Sequence, residues 1–140
     1  MQNPFDIVDD LFGYFMQSAE LSTALGIAEG ATIDVYDKKI RRTAADATLL
    51  DPNDTTIFPF IDYSCIPSAG QQKNMMVFKG VLEFNIWTGY MYDASVIYGI
   101  LKTIIKTNFS DSDMVYAAAV ASGIPDVYRF RFRMSVIIEA

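Results

Sequence analysis

The chain has 140 residues, of which 51% are hydrophobic and 14% aromatic, a composition that predicts one folded domain over residues 1–140 and excludes a disordered protein. Its 17 acidic and 11 basic residues give a formal net charge of −6, which argues against tight non-specific binding to nucleic acid. The sequence has no histidine and only one cysteine, so an intrachain disulfide, a Cys/His zinc site and imidazole catalysis are all excluded. No apolar run approaches the roughly 18 residues that cross a bilayer, and the start lacks the basic residues of a signal peptide, so we expect neither a membrane span nor secretion.

The chain begins with signals for a helix. Pro4 suits a first helical turn and Asp6 opposes the helix dipole, so we predict a helix from about Pro4. Ser18 can cap a further short helix, which Gly26 or Gly30 would end. Apolar side chains recur at helical spacing and predict a face packed on a core. They are Phe5, Val8, Leu11, Phe12, Phe15, Met16 and Ala19.

The next stretch combines a short alternating run with a long segment of irregular pattern. Residues 33–36 alternate and predict a strand, and residues 38–56 predict a long loop that is either functional or mobile. A basic cluster opens this loop, and two leucines form a small apolar spot within it. We expect this loop to become ordered when the chain docks to a neighbouring protein, and the two leucines to be buried only in that complex. These loop residues are Lys38, Lys39, Arg41, Arg42, Leu49 and Leu50.

Two strands follow. Residues 57–66 are rich in β-formers, and Pro59 marks an edge strand or a strand start. Residues 75–87 alternate over a longer run and predict the central strand of a sheet. One face of that strand is apolar, whereas the other carries Glu83 and Asn85.

The second half of the chain predicts a helix and a hairpin. Asp93 is the expected cap of a helix over residues 93–108, whose apolar positions follow helical spacing. Residues 115–121 and 127–138 flank a turn and predict a β-hairpin. The predicted class is α+β, an antiparallel sheet of four to five strands packed by two helices, in the order α-β-β-β-α-β-β.

Arginines recur at every second position near the C-terminus. Strand geometry places Arg129, Arg131 and Arg133 on one face and their apolar neighbours on the other. Three guanidiniums in a column repel one another unless water or carboxylates lie opposite, so this face is not a dry core. The alternatives are a solvated outer face, an acidic surface on a neighbouring subunit or partner, and a phosphate-binding strip.

Catalytic signals are sparse. Glycine-rich phosphate loops and calcium-loop spacing are missing from the sequence, so we expect no cofactor and no metal. Cys65 lies in an apolar stretch, which favours an inert thiol. Asp62 alternates against its neighbours and is the candidate residue for an enzyme that uses a carboxylate in an apolar groove.

The order of elements carries a resemblance to a known family. An amphipathic N-terminal helix precedes an aromatic-acidic pair within residues 35–37 and a Phe-Pro pair within residues 58–60. A long strand over residues 77–87 then leads into the helix of residues 93–108, and a hairpin closes with residues 129–139. In these features the whole chain resembles the tail-terminator and related tail-completion proteins of long-tailed bacteriophages.

The resemblance implies a structural virion protein and no catalysis. It implies self-association into a ring, usually a hexamer, that caps the tail tube protein, ends tube polymerisation and meets a head-completion protein of the neck. DNA would pass through the ring only as cargo, and assembly would take place in the host cytoplasm. Under this interpretation the arginines, the basic cluster and the two leucines named above are interface residues. The alternatives are a head-closure or adaptor protein of the neck, and a small ligand-binding or thioesterase-like α+β enzyme.

Overall fold

A computed structural model describes residues 4–43, 45, 50, 55–67 and 77–139 of the chain. Three helices precede the first strand, the fourth helix lies between the third and fourth strands, and a short 3-10 helix spans Thr55–Ile57. The helices are α1 (Pro4–Gln17), α2 (Ala19–Ala24), α3 (Ile33–Lys39) and α4 (Met91–Asn108). The strands are β1 (Ile40–Arg41), β2 (Phe60–Pro67), β3 (Val77–Thr88), β4 (Asp113–Val120) and β5 (Tyr128–Glu139).

The strands form one open sheet of five strands in the order β1-β2-β3-β5-β4. All neighbouring strands are antiparallel except β1 and β2, which are parallel over two residue pairs. The predicted α+β class and the central position of β3 are confirmed. The hairpin is also confirmed, and Gly123 and Asp126 in its turn adopt positive φ angles of 77° and 61°.

The N-terminal helices follow the sequence signals closely. Helix α1 begins at Pro4, and its apolar stripe buries Leu11 and Phe15 completely. The Ser18 hydroxyl accepts a hydrogen bond from the backbone N–H of Leu21 at 3.2 Å and so caps α2. Gly26 has a φ of 74°, the left-handed conformation that ends many helices.

Helix α4 begins earlier than predicted. Its first residue is Met91 and its N-cap position is Tyr90, so the prediction that Asp93 caps the helix is wrong. Asp93 instead lies in the first turn, where its carboxylate still opposes the helix dipole. The predicted apolar stripe is confirmed, because Ile97 and Leu101 are fully buried.

The predicted strand over residues 33–36 is wrong, because these residues form the beginning of α3. Four alternating residues are too few to distinguish the two periods, and the polar signals favour a helix. Asp34 lies in the first turn and Lys38 and Lys39 in the last, which matches the helix dipole at both ends. Ile33 remains exposed, so the alternation did not mark a buried sheet face.

The predicted loop over residues 38–56 is wrong at both of its ends. Lys38 and Lys39 complete α3, and Ile40 and Arg41 form β1, where Ile40 is fully buried. Residues 55 and 56 belong to the 3-10 helix. Residues 44, 46–49 and 51–54 lie outside the described residues.

Helices α1, α2 and α4 pack on one side of the sheet, here called the helix-covered face. Its centre is aromatic: Phe84 stacks on Phe132 at 4.8 Å and on Tyr63 at 5.3 Å between ring centroids, and Phe15 meets Tyr63 edge-on at 5.3 Å. The Tyr63 hydroxyl donates to the Val8 carbonyl at 2.6 Å, and burial raises the pKa of Tyr63. Among the helices that the structure describes, none has the length and apolar character needed to cross a membrane.

Candidate functional site

The opposite side of the sheet carries the three arginines singled out above and is here called the arginine face. Strand register aligns Asp62, Asn85 and Arg131 across β2, β3 and β5, and Arg41 of β1 lies beside Asp62. The helices that cover the other face supply no residues to this row. The arginine face is therefore a polar surface built on four rigid strands.

Asp62 is a buried carboxylate at the centre of this face, with 1% of its surface exposed. Its Oδ1 accepts a hydrogen bond from Asn85 Nδ2 at 2.8 Å, and its Oδ2 accepts from Trp87 Nε1 at 2.7 Å and from the backbone N–H of Ala45 at 3.2 Å. Burial raises the pKa of the Asp62 carboxyl, and the three donated hydrogen bonds oppose that shift. Both oxygens are thus engaged in holding the fold together.

Asn85 links the buried carboxylate to the arginines. While its amide nitrogen donates to Asp62, its Oδ1 accepts from Arg129 Nε and from Arg131 Nε, each at 3.0 Å. Two cationic side chains therefore converge on one neutral oxygen. Burial and the nearby Arg131 charge both lower the pKa of Arg129.

Glu83 is the carboxylate opposite the arginine column. Its Oε1 accepts from Arg133 Nε at 2.9 Å and lies 2.8 Å from Arg133 Nη2. The distance from the same oxygen to Arg131 Nε is 3.5 Å, so the pairing with Arg133 is the closer one. The requirement for a carboxylate opposite the arginines is met within the chain itself.

Aromatic rings support three of the arginines on this face. Each guanidinium carbon lies over a ring, an arrangement that attracts the cation and fixes the plane of the guanidinium. The pairs are Arg41 over Phe60 at 4.3 Å, Arg129 over Trp87 at 4.7 Å and Arg133 over Tyr116 at 5.1 Å from the ring centroid.

The predicted separation of arginines from apolar neighbours is confirmed, since Phe132 and Met134 are buried on the helix-covered face. The arginines are not fully solvated. The exposed fraction of the side chain is 25% for Arg131 and 42% for Arg133. Their role as an interface stays a prediction.

Much of the basic cluster is engaged within the chain. Lys39 Nζ donates to the carbonyls of Thr56, Ile57 and Pro59 at 3.2–3.3 Å, which ties α3 to the start of β2, and burial lowers the pKa of Lys39. Arg41 Nε donates to the Lys38 carbonyl at 3.1 Å. The cluster therefore has a structural role in addition to the predicted interface role, which nothing here tests.

Arg42 is held by two carboxylates on the surface. Its guanidinium pairs with Asp9 at 3.0 Å and Asp37 at 3.2 Å, and its carbon lies 4.4 Å from the centroid of the Phe12 ring. These contacts join α1 to α3. Because all three charged groups are exposed, their contribution to stability is small.

Of the two predicted loop leucines, Leu49 lies outside the described residues. Leu50 packs, half-buried, against a small cluster formed by Phe60, Trp87 and Ile124 at the end of the arginine face. Leu50 is thus partly covered in the single chain, and its full burial in an assembly stays a prediction.

Asp62 and Cys65 are the two side chains whose reactivity the sequence analysis considered. A cleft of about 570 Å³ lies where β3 ends and β5 begins, but the residues that line it, such as Tyr90 and Asp126, do not include Asp62. Cys65 is half-buried beside the core, and burial raises its pKa to about 11, so the thiol stays protonated near neutral pH. Within the described ranges, no group of three or more Asp, Glu, Cys or His side chains could hold a metal ion.

Sequence reasoning missed the partners of the arginines. Asn85 and Glu83 were placed on the polar face of the central strand, but which strand lies beside β3, and in which register, follows from tertiary pairing. Trp87 carried no sequence signal for its hydrogen bond to Asp62.

No family model and no curated protein matches this chain.

Proposed function

We propose that the chain is a structural virion protein that forms a ring at the head-proximal end of a bacteriophage tail tube. The ring ends polymerisation of the tube and joins the tail to the head. The resemblance of the sequence to tail-terminator proteins suggests this function, and the α+β architecture with one open sheet agrees with it.

The observation that carries the proposal is the edge strand β4. It pairs with β5 on one side, and no described strand lies on its other side. Residues 114–120 carry no charge, and the side chains of Val115 and Tyr116 are 57% and 38% exposed. Monomeric proteins usually protect an edge of this length with charges, prolines or bulges. Asp113 and an irregularity in the pairing between Met114 and Tyr116 protect the first part of β4, whereas residues 117–120 have none of these features. The unprotected second half of the edge favours association with another chain.

The other edge of the sheet is also largely open. Strand β1 covers only Ile61 and Asp62 of β2, so the rest of that strand has no described neighbour on its outer side. Two different edges on one subunit allow a head-to-tail contact between copies. Such contacts close into a ring when the rotation between neighbouring subunits divides a full turn evenly.

Native mass spectrometry of the purified chain, alone and with assembled tail tubes, tests the proposal. We expect a closed ring, six-fold by the family resemblance, bound at one end of each tube. Val115→Lys places a charge on the exposed edge and is expected to reduce the ring population by about tenfold. Val96→Lys, which adds the same charge at an exposed position of α4, is the matched control and should assemble normally.

A chain that stays monomeric at every concentration, with and without tubes, would contradict ring formation. Binding to the portal side in place of tube ends would instead identify a head-closure or adaptor protein of the neck. The two outcomes are separated by adding purified tubes and purified portal in parallel.

A further inference from the structure

Arg129 and Arg131 on the arginine face carry more positive charge than the described residues around them neutralise. Arg129 Nε and Arg131 Nε both donate to Asn85 Oδ1 at 3.0 Å, which holds the two nitrogens within about 6 Å of one another. Two like charges at this spacing repel each other. A neutral amide oxygen aligns them but supplies no opposing charge.

The two described carboxylates near these arginines, Glu83 and Asp62, already have other partners. Glu83 forms its closest contacts with Arg133, at 2.8 and 2.9 Å, and lies 3.5 Å from Arg131. Asp62 is buried and accepts three hydrogen bonds from other groups. The charge of Arg129 and Arg131 is therefore only partly offset within the described chain.

Both guanidiniums keep donors for an external ligand. The hydrogen bonds that Arg129 and Arg131 make among the described residues use only their Nε groups. Their Nη groups have no partner in that part of the chain and form the outer edge of each fork. Arg129 stacks on Trp87, and Arg129 and Arg131 both lie on β5. The two guanidinium forks are therefore held in place before a ligand binds.

We propose that Arg129 and Arg131 together bind carboxylates of an acidic segment on a partner protein. The planar fork of each guanidinium matches one carboxylate through two parallel hydrogen bonds. Two singly charged carboxylates neutralise the pair, whereas a longer phosphate chain would extend over a protein with a net charge of −6. The inference rests on the proposed function only in taking a neighbouring protein of the particle as the partner.

Titration of the chain of residues 1–140 with a hexa-aspartate peptide at low ionic strength tests the site. Hexa-asparagine is the uncharged control, and hexathymidine tests phosphate as the ligand. We expect hexa-aspartate to bind and the affinity to fall with added salt. The double variant with Arg129→Gln and Arg131→Gln should bind hexa-aspartate about tenfold more weakly or worse, because glutamine lacks both the charge and the planar fork of arginine.

The matched control is Arg42→Gln, which removes one positive charge from an arginine already paired with Asp9 and Asp37. It should change the affinity by less than about twofold. Arg131→Lys keeps the charge but removes the fork and should fall between the wild type and the double variant. Circular dichroism checks that each variant is folded.

A measurement on the wild-type chain does not depend on the folding of any variant. In NMR spectra of the arginine Nε–H groups, hexa-aspartate should shift the signals of Arg129 and Arg131 and leave that of Arg42 in place. No binding, unshifted Arg129 and Arg131 signals, unchanged affinity in a folded double variant, or tighter binding of hexathymidine at these arginines would overturn the inference. Because ring formation is not required in this assay, failure here and failure of the ring test remain distinct.

Discussion

The two faces of the sheet are stabilised by different physical means. On the helix-covered face, stacked aromatic rings and aliphatic side chains are removed from water by α1, α2 and α4. On the arginine face, a buried carboxylate, an amide and three arginine–aromatic contacts take the place of covering helices. The first face depends on apolar area and tight packing, and the second depends on the hydrogen bonds of its buried polar side chains, Asp62 and Asn85.

Strand β3 contributes to both the apolar and the polar face of the sheet. Strand β3 buries Phe84 among rings on one side and presents Asn85 to Asp62 and the arginines on the other. A sheet with one apolar face and one polar face leaves the polar side available for contacts outside the chain. Substitutions that separate the two contributions test this division directly.

The largest effect is expected at the centre of the helix-covered face. Phe84→Ala removes a fully buried ring that stacks on Tyr63 and Phe132, and it should lower the free energy of unfolding by about 3–5 kcal/mol. Urea denaturation followed by circular dichroism measures the loss. Val115→Ala, at an exposed position, is the control and should change the stability by less than about 0.5 kcal/mol. A small loss for Phe84→Ala would show that apolar packing does not dominate this face.

The next largest effect is expected at Asp62. Asp62→Ala leaves the buried Asn85 and Trp87 donors without their acceptor, so the free energy of unfolding should fall by about 2–4 kcal/mol. Asp62→Asn keeps the shape and one acceptor oxygen and should cost less. Equal losses for the two variants, measured by urea denaturation, would contradict a role for the hydrogen-bond network.

A smaller effect is expected for the ion pair between Glu83 and Arg133. Arg133→Gln should lower the free energy of unfolding by about 1 kcal/mol, because Glu83 is only 14% exposed and Arg131 remains as a weaker partner. Arg42→Gln breaks an exposed pair and should cost less than about 0.5 kcal/mol. If the two losses were equal under the same denaturation protocol, partial burial would not strengthen the pairing on the arginine face.

The smallest effect is the pH dependence contributed by Asp62. Its pKa in the folded chain is raised above the ordinary value of 3.8, so the folded state holds a proton more tightly than the unfolded state. The resulting stabilisation is complete below pH 3.8 and is lost as the pH rises through the raised pKa. The stability of the wild type relative to Asp62→Asn should therefore decrease as the pH increases from that value. An increase over this range would mean that the donated hydrogen bonds outweigh the effect of burial.

The sequence by itself predicted the elements that have long, regular patterns. Helix α1, helix α4, the central strand and the closing hairpin repeat their apolar spacing over enough residues to fix the period, and the open α+β class follows from them. The alternation of arginines with aromatic residues also determined which side of β5 each residue occupies. Residues 33–36 were too short a run, and the helix dipole outweighed their alternation.

Tertiary structure alone decided which side chains meet. The pairing of β3 with both β2 and β5 brings Asp62, Asn85 and Arg131 into one row, although they lie far apart in sequence. Side-chain alternation is a local property of each strand, whereas strand order and register depend on which apolar faces pack together over the whole chain. The sequence could therefore place the arginines on a polar face, but only the folded sheet could show that Glu83 neutralises Arg133 while Arg129 and Arg131 share an amide.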